Sequence, residues 1–87
     1  MKIKVRIWWM PRDSSDIHKR DCYLVNSNST IHFAKSRGIN LERLSISDFN
    51  RQGWLFFYED SHLDAFAMRY EDVVSLKVLE IEYDDEN

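Results

Sequence analysis

Four side chains in this sequence could ligate a soft metal or form a nucleophile–base pair: Cys22, His18, His32 and His62. Structural zinc sites draw on cysteine and histidine pairs at short, regular spacings, so that two ligands leave one turn together. Here the cysteine is single, the histidines are scattered, and His62 lies in an acidic stretch. The pattern predicts surface histidines and no metal site. A Cys22–His nucleophile would need a loop able to stabilise an oxyanion, and none is apparent. Cys22 lies in a strand-like segment and reads as a small core residue. Glu59, Asp60 and Asp64 could hold a hard cation, but they lack the glycine and the spacing of a calcium loop, so a solvated turn is expected. With two glycines in 87 residues there is no glycine-rich phosphate cradle either. These residues predict a chain that is not an enzyme and takes no cofactor.

The elements that must position them follow from hydrophobic period. Residues 2–9 alternate strictly, with Ile3, Val5, Ile7 and Trp9 on one side and Lys2, Lys4, Arg6 and Trp8 on the other. Period two with β-branched residues predicts a strand with one buried face, ended by Pro11. After the polar turn PRDSSD, residues 17–25 predict a returning strand, with Cys22 and Leu24 opposite Tyr23 and Val25. The run NSNS marks a loop. STIHFAKSRG at 29–38 predicts the helix, with Ser29 or Thr30 as cap, Lys35 and Arg37 in the last turn and Gly38 just beyond it. Ser45-Ile-Ser-Asp48 resembles a capping box before a short turn that Gln52-Gly53 stops.

Residues 54–83 hold the remaining strands. Trp54–Glu59 is apolar on both sides, which predicts a strand that is central or lies between the sheet and a covering helix. A loop of four or more residues leads to Ala65–Tyr70, where Ala65 and Ala67 leave room for a large ring such as Trp9 or Phe33. Glu71–Val74 predicts a corner, with one turn of 3₁₀ helix. Ser75–Tyr83 is a last strand whose alternation slips by one residue, which predicts a bulge at Val78–Leu79. The fold expected is a single α+β domain over residues 1–87. Its sheet is curled, antiparallel and about five-stranded, a partly open barrel, with one short helix between strands 2 and 3 and an acidic tail at 84–87 expected to fray.

Charge is unevenly distributed. Residues 1–53 carry ten Lys/Arg against five Asp/Glu, and residues 54–87 carry two against ten, within a net charge of −3. Outward Lys2, Lys4 and Arg6 on the first strand would match outward Glu80 and Glu82 on the last, so these two strands are expected side by side. No apolar run approaches the ~20 residues of a membrane-spanning helix. The N-terminus lacks the apolar core of a secretory leader. With a single cysteine, the economical expectation is a reducing, cytoplasmic compartment.

Two binding readings follow. The first is a protein-binding module, an inhibitor or adaptor that occupies a partner's surface. Its face would be an acidic, aromatic one built from Glu59, Asp60, Asp64, Tyr70, Glu71 and Asp72, suited to a basic partner. Small, motif-free acidic domains of this kind are frequent among phage and mobile-element anti-defence and immunity proteins, an analogy of size and composition alone. The second is a single-stranded nucleic-acid-binding module using Lys4, Arg6, Trp8, Arg12, Lys19 and Arg20. A pI of about 5.5 and the acidic C-terminal half weigh against it.

Overall fold

Alternation builds the first strand, β1 (Lys2–Trp9), and burial follows it: Ile3, Val5 and Ile7 are fully buried while Lys2, Lys4 and Arg6 are half-buried. The computed structural model describes residues 2–49, 53–59 and 65–83. Within them the chain order is β1, β2 (His18–Leu24), α1 (Ser27–Arg37), 3₁₀ turns at Leu41–Arg43 and Ile46–Asp48, β3 (Trp54–Tyr58), β4 (Ala65–Arg69), a 3₁₀ turn at Tyr70–Asp72 and β5 (Val73–Glu82). The strands form one antiparallel sheet in the order β4-β3-β2-β1-β5. The domain is α+β, with its one helix between the second and third strands. The sheet is not closed, and β4 and β5 remain its two edges.

The first and last strands pair as their charges predict. Lys2 lies opposite Glu82 and Lys4 opposite Glu80, with Ile3 opposite Ile81 on the other face. The register shifts between Lys4 and Val5, whose partners are Glu80 and Val78, so Leu79 is the extra residue of a bulge. A second shift between Trp8 and Trp9 leaves Val74 without a partner in the register. Both bulged residues are exposed, which is how one extra residue restores the inward phase of those beyond it.

One face of the sheet carries the core. Ile3, Val5, Ile7, Cys22, Leu24, Leu55, Phe57, Met68, Leu76 and Val78 pack with Ile31 of α1 and with Leu44, while Leu41, Ile46 and Phe49 close in around them. The helix begins at Ser27, with Asn26 at the cap position, three residues before the Ser29 cap that the sequence predicts and four before Thr30. Ser27 is the buried polar residue there: its hydroxyl donates to the Leu24 carbonyl at 2.8 Å and accepts the Ile3 N–H at 3.1 Å. That tie satisfies a strand amide with a helix side chain and fixes α1 over β1. Gly38 ends the helix as expected, at φ +68° in the left-handed region. At the second 3₁₀ turn the Asp48 carboxylate accepts the Ser45 N–H at 2.9 Å, the reciprocal half of a capping box.

Two expectations about β3 and β4 need correction. β3 does lie inside the sheet, between β4 and β2, but it is not covered on both sides: Leu55 and Phe57 are buried, whereas Trp54 and Phe56 are 53% and 49% exposed. One 11-residue helix and two short turns suffice to cover a single face. Nor does a large ring lie over Ala65 and Ala67, which are exposed opposite Tyr58 and Phe56. Trp9 points to the other face and stacks on His18, and Phe33 sits in α1 beneath Arg37.

Candidate binding surface

The register assigns every strand residue to a face, and one of the two faces has no layer over it among the described residues. Across it, Trp54 pairs with Arg69, Phe56 with Ala67 and Tyr58 with Ala65. Next to these, Tyr58 pairs with Tyr23 and Tyr23 with Lys4. Then Arg6 stands between Asp21 and Lys77, and Trp8 between Lys19 and Ser75. The face is therefore an aromatic strip along β3, continued by Tyr23, beside a cationic strip along β1.

Ring and charge contacts order this surface. Tyr23 and Tyr58 stack at 5.3 Å between centroids, with the Lys2 ammonium 5.4 Å from the Tyr23 ring. The Arg69 guanidinium lies 5.3 Å from the Trp54 ring. Arg6 grips Asp21 with two bonds, Nε–Oδ1 at 2.7 Å and Nη2–Oδ2 at 3.1 Å. Arg6 holds the Asp21 carboxyl below its ordinary range, helped by the charges of Lys4 and Lys19. A shallow cleft of about 150 Å³ opens at the Trp54 end, lined by Leu24, Asn26, Thr30, Phe49 and Leu55 together with Trp54 and Phe56. It contains no titratable side chain, so it offers shape and apolar area rather than proton transfer.

The acidic set behaves differently. Glu59 bonds Arg20 on the covered face, where the guanidinium also lies 4.3 Å from the Phe66 ring. Glu71 bonds Arg12 and, at 3.4 Å, Arg69; Arg12 also reaches Asp72 at 4.0 Å. Arg12, with Arg69 behind it, lowers the Glu71 carboxyl from its ordinary value. Tyr70 is half-buried and packs against the core. Asp60, Asp64, His62 and the tail 84–87 lie outside the described residues. The structure thus gives Glu59, Glu71 and Asp72 partners within the chain, and their density needs no external partner to account for it.

Of the basic candidates, Lys4, Arg6, Trp8 and Lys19 share the uncovered face, whereas Arg12 and Arg20 are engaged elsewhere by carboxylates. Trp54, Phe56, Tyr58, Tyr23, Arg69 and Lys77 join that face from outside the two candidate sets. The two apolar sides of Trp54–Glu59 held the signal for the first three, since the one helix among the described residues covers a single face of the sheet. Cys22 is buried, and burial pushes its thiol up to about 12, which removes it as a thiolate nucleophile. Among the described residues no group of three or more His, Cys, Asp or Glu could hold a metal ion, and no helix is long and apolar enough to cross a membrane. Comparison with protein-family models, with curated proteins and with solved structures finds no match to this chain.

Proposed function

We propose that this domain is a non-enzymatic binding module that acts by occupying the surface of another macromolecule, and that its contact surface is the uncovered sheet face. One observation carries the reading: Trp54 and Phe56 are half exposed on a strand whose alternate residues form the core. Isolated exposed apolar residues are ordinary, but a contiguous apolar patch rimmed by charge is the usual mark of an interaction site. Trp, Tyr and Arg are also the residues that most often dominate binding energy, and Trp54, Tyr58, Tyr23 and Arg69 lie together there. The acidic rim supports the reading less well, because three of its carboxylates already neutralise arginines.

The test is capture from a host lysate by the immobilised domain, comparing wild type with W54S/F56S and with E71K/D72K, each shown to be folded by circular dichroism. Loss of the captured partner in W54S/F56S alone supports the sheet face. Loss in E71K/D72K alone would move the site to the acidic corner and restore an acidic docking surface for a basic protein.

A further inference from the structure

From the charge and ring pattern we infer that the uncovered face takes single-stranded nucleic acid, its bases on the β3 rings and its phosphates over the cations of β1 and β5. The inference rests on the proposal that this face is the contact surface, and it commits that surface to one class of ligand. Charge complementarity decides the class. Among the described residues the face presents six basic side chains, Lys2, Lys4, Arg6, Lys19, Arg69 and Lys77, against four carboxylates, Asp21, Glu80 and Glu82 on the strands and Glu71 beside Arg69. The chain as a whole has a net charge of −3. Among the described residues cations outnumber carboxylates on this face of an acidic chain, and the same face bears the exposed rings.

The local arrangement sharpens the match. Arg6 and Lys77 are direct cross-strand partners, a like-charge pair that the Asp21 carboxylate held by Arg6 offsets only in part. Lys19 lies two residue pairs further along on the same face, and Asp21 is the carboxylate among these three cations. Trp54, Phe56 and Tyr58 follow at alternate positions of β3, about 7 Å apart along the strand. That is room for one base per ring in an extended strand. Tyr58 lies level with Tyr23 and Lys4, and Arg6, Lys77 and Lys19 lie beyond that end of the ring row toward β1, so the nucleic-acid strand would cross the face from rings to cations. A duplex hides the base faces that such rings need, so a single strand fits and a double helix does not.

Fluorescence anisotropy of the intact domain with labelled ten-nucleotide single-stranded RNA, single-stranded DNA and the corresponding duplexes tests this. Micromolar binding of single strands at low salt is expected, with duplexes at least tenfold weaker; the RNA and DNA arms show which sugar is preferred. Three phosphate contacts give a slope of about −2 in log affinity against log salt. F56S should weaken binding roughly tenfold through loss of one stacking ring. K77Q should make the slope shallower by about 0.7, and D21N should tighten binding by removing a carboxylate from the cationic strip. Both K77Q and D21N change exposed residues, so the outcome does not depend on F56S folding.

Single-strand binding that F56S, K77Q and D21N all leave unchanged overturns the inference, as does an absence of binding at any salt. In the latter case a parallel capture from nuclease-treated lysate separates the two failures. Protein captured by wild type and lost in W54S/F56S keeps the face as the contact surface and removes nucleic acid as its ligand. Capture that W54S/F56S does not affect removes both.

Discussion

Phe56 and Phe57 are adjacent, chemically identical and in the same strand, yet one is 49% exposed and the other fully buried. Leu55 and Trp54 repeat the contrast one step earlier. Neither hydrophobicity nor strand propensity separates the members of these pairs. What separates them is the amount of chain left over to make a second layer. Leu41, Ile46, Phe49 and α1 converge on the Phe57 side, and among the described residues no layer covers the Phe56 side beyond its cross-strand neighbours. The two faces therefore have different work: one supplies stability and the other leaves aromatic area free.

The contrast can be broken most sharply at the two phenylalanines. Phe57→Ala should cost about 3–5 kcal/mol, a large part of a small domain's stability, whereas Phe56→Ser should stay within about 0.5 kcal/mol of wild type. Urea denaturation followed by circular dichroism measures both. Equal losses would mean that the Phe56 side is covered after all. Next in size is Ser27→Ala, which leaves the Ile3 amide without its acceptor beneath α1 and should cost about 1–3 kcal/mol. A loss no larger than that of an exposed serine would detach the helix from the account of how the covered face is held.

The smallest effect belongs to the uncovered side and appears in acid. Arg6 depresses the Asp21 carboxyl, so the pair's contribution is present above the ordinary carboxylate range near pH 4 and is lost as pH falls through the lower folded value. Glu71 beside Arg12 has the same sign. Melting temperature should drop on acidification below about pH 4, and Asp21→Asn should remove part of that drop. High salt should flatten it, since both pairs are solvent-screened. A D21N profile that overlays wild type at low salt would show that the Arg6 grip organises the surface without stabilising the fold.

What was legible in the chain was local or self-matching. Lys2, Lys4 and Arg6 alternate with Ile3, Val5 and Ile7, and the complementary set on β5 names its partner. The phase slip at Val78–Leu79 announces the bulge because a one-residue shift cannot otherwise keep Ile81 inward. Three things were not legible. The helix start was hidden in a run of Asn and Ser, any of which can cap, and Ser27 was chosen by its tertiary bond to Ile3. The pairing of Arg12 with Glu71 joins residues 59 positions apart, and no periodicity encodes it. The exposed side of β3 was misread because an apolar residue looks the same in sequence whether it is bound for a core or left for a ligand.

Cys22 carries a last consequence. Its sulfur lies beneath the sheet's covering layer, and its thiol is pushed up to about 12, so almost none is thiolate at neutral pH. An alkylating reagent in solution meets a reactive sulfur only in a molecule that has opened, and β2 stands in mid-sheet, flanked by β3 and β1. Such a central strand is exposed only in the larger openings. The rate at which iodoacetamide consumes this thiol is thus an internal clock for unfolding. It needs no added label, and it lets a variant of the uncovered face be scored for binding and for fold integrity in the same tube.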